Sequence, residues 1–222
     1  KKYNKMSIKL PLAHVSRPST LKENAPLLVM LHGYGSDEND LFSFASELPE
    51  ELFIISIRAP YSLQPSGNAW YAINFDAEQN KWNDNEQAKS SMAILIDCID
   101  QACNFYPVDK NNVSVLGFSQ GTILGMATAL NHPKKIKNII GLSGYVNHDI
   151  LPENLEELDY SKLSFYCSHG TVDQVIPIDW ARQTPVFLKS LNIEHTYSEF
   201  PVGHGVAPQN FYELRDWISS KI

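Results

Sequence analysis

Short runs that are apolar at every position recur along the chain, at Leu27–Leu31, Leu52–Ile57, Val113–Leu116, Ile139–Leu142 and Leu163–Cys167. A strand with one wet face would alternate, so unbroken runs of this length predict strands buried on both faces. Between them the period changes. Ala88, Met92, Leu95, Ile96, Ile99, Cys103 and Tyr106 repeat at three- and four-residue steps and predict a helix over about Asn83–Tyr106. Asn83 with Glu86 reads as its capping pair, and Pro107 stops it. A second helix is expected after Ser36, with Asp37 and Glu38 at its positive end and Leu41, Phe44, Ala45 and Leu48 turned inward. The last begins near Pro208 and packs Phe211, Leu214, Trp217 and Ile218. The segment His195–Phe200 alternates and reads as a further strand. Strands alternating with helices imply an α/β fold, a mainly parallel central sheet covered by helices on both faces. No repeat or linker divides the chain, so residues 1–222 are expected to form a single domain.

Charge and composition narrow the function. The chain has 222 residues, with 18 basic and 25 acidic side chains and a formal net charge of -7. Such a balance offers no general attraction to phosphate backbones, so no nucleic-acid partner is expected. No apolar run approaches the roughly 18 residues of a transmembrane helix, so no membrane span is expected either. Lys1, Lys2 and Lys5 are followed by alternating residues that lack a signal-peptide core. Cys98, Cys103 and Cys167 are odd in number, and the step from Cys98 to Cys103 sends their thiols to diverging sides of a helix. Packing cysteines and a cytoplasmic location fit better than a disulfide framework.

The chemistry concentrates where one of the apolar runs ends. Residues Val113 to Gly121 read V-S-V-L-G-F-S-Q-G, a strand running into G-x-S-x-G, with a helical pattern from Thr122 to Leu130. A serine on such a turn is exposed at the carboxyl edge of the sheet, and Gly117 and Gly121 leave it uncrowded. The same five letters at a buried turn would mean nothing, but the strand and helix around Ser119 make it the candidate nucleophile. Ser143, in G-L-S-G-Y, lacks the closing glycine and reads as a strand-end residue.

A serine hydroxyl needs a general base, itself oriented by a carboxylate. In α/β-hydrolases the order along the chain is serine, acid, histidine. Of the histidines after Ser119, His148, His169, His195 and His204 follow by enough chain to return to it after another element. His204 is favoured because P-V-G-H-G-V-A-P is a glycine-flanked loop between the alternating strand and the last helix, where an imidazole can reach back over the serine. Asp173, in S-H-G-T-V-D-Q-V-I-P just after a core strand, is the preferred acid. Asp149 and Asp159 fall in a polar connection, and Asp179 begins the next helix, where an acid ordinarily serves the helix dipole. The run Leu27–Gly35, L-L-V-M-L-H-G-Y-G, ends in a turn that can aim a backbone N–H at a developing oxyanion. Tyr34 and Gln120 are the expected donors.

These blocks resemble the phospholipase/carboxylesterase family, which includes acyl-protein thioesterases and small bacterial carboxylesterases. The match rests on L-H-G-Y-G-S-D, N-A-W-Y, G-F-S-Q-G, L-S-G-Y, H-G-T-V-D-x-V-I-P and G-H-G-V, in order from Leu31 to Val206. The resemblance implies an α/β-hydrolase fold without a large cap domain and no cofactor; separately, the sequence holds no H-E-x-x-H or comparable ligand cluster, so no metal is expected. The resemblance also implies a serine carboxylesterase acting on acyl esters or thioesters, with acyl-protein thioesterase or lysophospholipase activity as the alternative. It carries nucleophile, acid and base onto Ser119, Asp173 and His204, and the oxyanion donors onto Tyr34 and Gln120. Its partner would be a small acyl substrate, and a homodimer is compatible with it. Two departures stand out. Thr122 occupies a position where the family often has glycine, and G-H-G-V differs from the usual eukaryotic thioesterase segment, which favours a bacterial-type carboxylesterase. A non-catalytic binding protein on the same fold would be expected to have lost part of this set.

The stretch Arg58–Trp82 keeps no sustained period and is rich in aromatics. It follows a core strand, where long loops often form binding sites. The family resemblance also puts it beside the active site, so Leu63, Trp70 and Tyr71 are expected to wall a short apolar acyl groove that favours short to medium acyl groups.

Overall fold

The structure, a computed structural model, describes residues 9–75, 78 and 81–222. Seven strands form its central sheet: β1 (His14–Arg17), β2 (Ala25–Leu31), β3 (Phe53–Ile57), β8 (Val108–Phe118), β9 (Asn138–Leu142), β10 (Ser164–Gly170) and β11 (Glu194–Phe200). Two small antiparallel pairs lie in the connection after β3. They are β4 (Tyr61–Ser62) with β5 (Asn68–Ala69), and β6 (Ile73–Phe75) with β7 (Lys81–Asn83). The helices are α1 (Asn85–Phe105), α2 (Gln120–Asn131), α3 (Ile178–Ser190) and α4 (Pro208–Ser219).

The sheet order is β1-β3-β2-β8-β9-β10-β11, with only β1 antiparallel to its neighbour. The unbroken apolar runs are explained by burial on both sides. In β2, Leu27, Val29 and Leu31 enter the core shared with α1 and α2, while Leu28 and Met30 face α4 and the segment after Ser36. Ile54 and Ile55, Val115 and Leu116, and Phe165 and Tyr166 divide in the same way. Each such side chain contributes about 1.5–3 kcal/mol when fully buried. From β2 the chain passes to β3 on one side and later to β8 on the other. The carboxyl ends of β2 and β8 thus flank the point where winding reverses, the usual place for a ligand crevice in an open α/β sheet.

Three local expectations need correction. The segment after Ser36 is not an α-helix but a 3₁₀ helix, Leu41–Glu47. Glu38 is drawn away from any helix end by a bidentate pair with Arg58, at 2.6 and 2.7 Å. Asp40 accepts from the Ser36 hydroxyl and offers no side-chain cap, so local polar bonds compete with a regular helix. Leu41, Ala45 and Leu48 are nevertheless buried. Helix α1 starts one residue later than its expected cap: Asp84 accepts from the Gln87 N–H at 2.9 Å, while Asn83 pairs with Ile73 in the β6–β7 hairpin. The apolar stripe of α1 is also rotated, with Cys98 and Ala102 buried and Ile96 and Cys103 at its margin. Edge strand β1 was missed because its mainly polar residues carry no apolar run.

Candidate active site

Strand β8 passes into α2 through Ser119, whose φ of 53° and ψ of -116° put a non-glycine residue in strained backbone. Glycine is required on both sides of that turn. A Cβ on Gly121 would lie 2.0 Å from the Leu31 carbonyl oxygen, and one on Gly117 would lie 2.6 Å from the Gly121 backbone. The close approach brings α2 against β2 and leaves Ser119 at the carboxyl edge. Thr122, the departure from the family pattern, anchors this turn by donating its hydroxyl to the Leu142 carbonyl at 2.7 Å.

His204 arrives from the loop after β11, and its Nε2 lies 2.9 Å from Ser119 Oγ. Its Nδ1 is 2.7 Å from Asp173 Oδ2, and the Asp173 side chain is fully buried behind it. The other carboxylate oxygen, Oδ1, accepts from the Val175 and Ile176 amides at 2.8 and 2.9 Å. Burial pushes the Asp173 carboxyl up, but the His204 hydrogen bond, the two amides and the attraction of His204 together outweigh it and leave it below the usual range.

The competing residues lie elsewhere. His148 packs edge-on against Phe187, and His195 bonds the Ile193 carbonyl at the outer strand. Asp149 and Asp159 are exposed, and Asp179 is a surface partner of Arg182. Ser143 is buried beside the end of β9, with its amide bonded to the Ser168 carbonyl. His169 is a residue whose place the sequence did not reveal. It is fully buried against the same carboxylate oxygen that meets His204, with Nε2 2.9 Å from the Ile176 carbonyl and 3.3 Å from Asp173 Oδ2. A carbonyl can only accept, so Nε2 carries the proton and His169 braces the carboxylate's turn.

Gln120 opens α2, so its N–H has no carbonyl four residues back in the helix. Its side chain reaches the N-A-W-Y block, accepting from the Trp70 N–H and donating to the Tyr71 carbonyl, both at 2.8 Å. Trp70 Nε1 in turn donates to the His32 carbonyl at 2.8 Å. His32 accepts from the Ala59 amide at Nε2, so its Nδ1 carries the proton donated to the Gly33 carbonyl. Burial lowers the His32 pKa and favours this neutral form. These bonds join the turn bearing Tyr34, the Trp70 loop and the start of α2 into one frame. Cysteine chemistry finds no support: burial pushes the Cys98 and Cys103 thiols up to about 11 and Cys167 up to about 12. Among the described residues no group of three His, Cys, Asp or Glu is gathered for a metal ion.

A cavity of about 270 Å³ opens over Ser119 and His204, walled by Tyr34, Tyr71, Ile73, Phe118, Ile123, Tyr145, Val175, Ile176 and Trp180 among others. A larger hollow of about 640 Å³ lies at the opposite, amino-terminal edge among Lys110, Lys134, Lys137 and Glu194. It holds none of the residues assembled around Ser119, so chemistry and not size identifies the candidate site. Of the expected acyl wall only Tyr71 lines the cavity. Trp70 is completely buried beneath it, held by three hydrogen bonds, including that from Ser91 to its carbonyl. Leu63 belongs to the β4–β5 connection, which is tied to the far side of the Tyr34 turn through Ser36 and Asn68. Both assignments are corrected: sequence proximity placed these residues in the loop, but backbone hydrogen bonding turned them away from the cavity. Trp70→Ala is accordingly expected to lower unfolding free energy by about 3–5 kcal/mol. Chemical denaturation measures this, and a loss below about 1 kcal/mol would contradict the packing described.

A mainly parallel sheet with both faces covered, and a serine on a strained strand-to-helix turn, place the chain among the α/β-hydrolases. More narrowly, the sequence pattern of the phospholipase/carboxylesterase family matches residues 13–222. The chain belongs to that family and is, with it, a carboxylic-ester hydrolase. It is 23% identical to lysophospholipase-like protein 1 of Mus musculus over 211 residues, covering 88% of this chain and 86% of the mouse protein. Acyl-protein thioesterase 1 of Yarrowia lipolytica is 28% identical over 162 residues, 69% of each chain. In fold, the chain is similar to esterase PE8 at a TM-score of 0.81 and 23% identity, covering 95% of this chain and 99% of that one. The Bacillus cereus carboxylesterase matches at a TM-score of 0.80 and 21% identity, over 96% and 95% of the two chains.

Proposed function

We propose that the protein is a serine carboxylesterase that hydrolyses short to medium acyl esters or thioesters through an acyl-enzyme on Ser119. The observation that carries this reading is the unbroken chain from Ser119 Oγ through His204 to buried Asp173, opening onto an apolar cavity. His204 takes the Ser119 proton as Oγ attacks the acyl carbon, then gives it to the departing alkoxide or thiolate. Water repeats the sequence to release the acid. Asp173 holds His204 with Nε2 free to accept and stabilises the imidazolium. The amides of Gln120 and Tyr34 would meet the oxyanion, and the Gln120 frame keeps them in place. Tyr71 would contribute to the acyl wall with Ile73, Tyr145 and Trp180.

A lysophospholipase or acyl-protein thioesterase uses the same steps on a larger substrate, and relatives are named lysophospholipase-like protein 1 and acyl-protein thioesterase 1. The modest cavity favours the bounded acyl group. With about 0.8 kcal/mol per buried methylene, kcat/KM should rise by up to about fourfold per carbon and then fall once the cavity is full. A series of 4-nitrophenyl esters from acetyl to palmitoyl tests this. Equal kcat/KM across the series would remove the bounded groove, and preference for palmitoyl would favour the thioesterase or lysophospholipase reading.

A further inference from the structure

The wall of the active-site cavity is apolar apart from a few polar groups, and its fixed charge has one sign. Lys81 lines it, and among the described residues no aspartate or glutamate does. The carboxylate of Asp173 is fully buried behind His204 and already accepts from it and from two amides.

Backbone register aims Lys81 at this cavity. In the β6–β7 hairpin Ile73 pairs with Asn83 and Phe75 with Lys81. Cross-strand partners share a face, as do residues two apart on one strand, so Ile73, Phe75, Lys81 and Asn83 lie on one side. Ile73, Lys81 and Asn83 line the cavity, Phe75 on the same face is exposed outside its lining, and Trp82 is on the other face. The base of the hairpin is pinned by the Asp84 amide, which donates to the Ala72 carbonyl at 2.9 Å, and Asn83 and Tyr145 line the same cavity. Tyr145 packs edge-on against Trp180 across the cavity at 5.2 Å. A slip of β7 by one residue would turn Lys81 and Asn83 away together. Lys81 also forms no salt bridge among the described residues, whereas Lys89, Lys135 and Lys221 each pair with a carboxylate.

We propose that Lys81, held at the cavity by the β6–β7 register, recognises an anionic group on the substrate, so that the preferred substrates are esters or thioesters carrying a carboxylate or phosphate besides the scissile acyl link. This rests on the reading of Ser119 as the nucleophile. The net charge of -7 repels anions at a distance, which makes a local cation at the mouth the source of selectivity.

The test compares two pairs of substrates. The 4-nitrophenyl monoester of adipic acid and 4-nitrophenyl hexanoate share a six-carbon acyl chain and differ in a terminal carboxylate. The butyrate esters of 4-hydroxybenzoate and 4-hydroxybenzamide place the same difference on the leaving group. In one pair the anionic ester should have the higher kcat/KM, which tells the side on which the charge sits. That ratio should fall about three- to fivefold in Lys81→Met and further in Lys81→Glu. Added salt should erode the ratio in the wild type and leave it level in Lys81→Met. Ratios at or below one in both pairs, or the same ratio in Lys81→Met as in the wild type, would overturn the proposal while leaving Ser119 in place. Failure of all four esters to turn over, with no fluorophosphonate labelling of Ser119, would instead remove the underlying reading and this one with it.

Discussion

Replacing Ser119 with alanine is expected to lower kcat on any turned-over ester by up to about 10⁶-fold, with the fold retained. Alanine lacks the Oγ that His204 Nε2 meets at 2.9 Å, so no acyl-enzyme can form. The cost of the backbone at φ 53° is shared by serine and alanine, so stability should change little. Whatever rate persists would reflect binding and the backbone amides alone. Intact-protein mass spectrometry after a fluorophosphonate probe should place one adduct on Ser119. Ser143, equally strained at φ 53° but buried, serves as the internal comparison. Full activity in Ser119→Ala together with an adduct on Ser143 would defeat the assignment.

Asp173→Asn should lower kcat by roughly 10⁴ with little change in fold. The size of the loss follows from how the asparagine must sit. The Val175 and Ile176 amides both donate to Oδ1, so the asparagine carbonyl oxygen takes that position and its NH₂ turns to His204. An NH₂ facing Nδ1 favours the tautomer with the proton on Nε2, which can no longer accept from Ser119. Asp179→Asn, at an exposed site, is the matched control and should keep full activity. The outcome that would sink the assignment is a dead Asp179→Asn beside an active Asp173→Asn.

The same carboxylate sets a pH dependence. Its folded pKa is depressed, so the stability it contributes is present above the unfolded value of about 3.9 and is lost as pH falls through the folded one. In the wild type, Asp173 should therefore stay ionised in mild acid, and its protonation should cost activity only below the ordinary carboxylate range. Protonation of the Asp173 carboxylate within that range, read by carboxylate NMR alongside a fall in kcat/KM, would mean that Asp173 is not held ionised as its hydrogen bonds indicate.

The parts of this protein that were readable along the chain are those whose cause is local. Leu27–Leu31 and Val113–Leu116 announced doubly buried strands because burial on both faces demands apolar side chains at every position. Ser119 stood out because a strand-to-helix turn of that sharpness needs glycine two residues to either side, and the meeting of β2 and α2 explains why. The loops bearing Asp173 and His204 were readable from their positions after strands. Contacts between distant segments decided the remainder. Glu38 left its expected helix for Arg58, Trp70 went beneath the cavity to serve Gln120 and His32, and His169 came against Asp173. Lys81 acquired its direction from register with Phe75. Period and composition determined which elements form and where Ser119 lies. Which side chains face the cavity depended on hydrogen bonds and strand pairings between residues remote in sequence, and no local pattern encodes those partners.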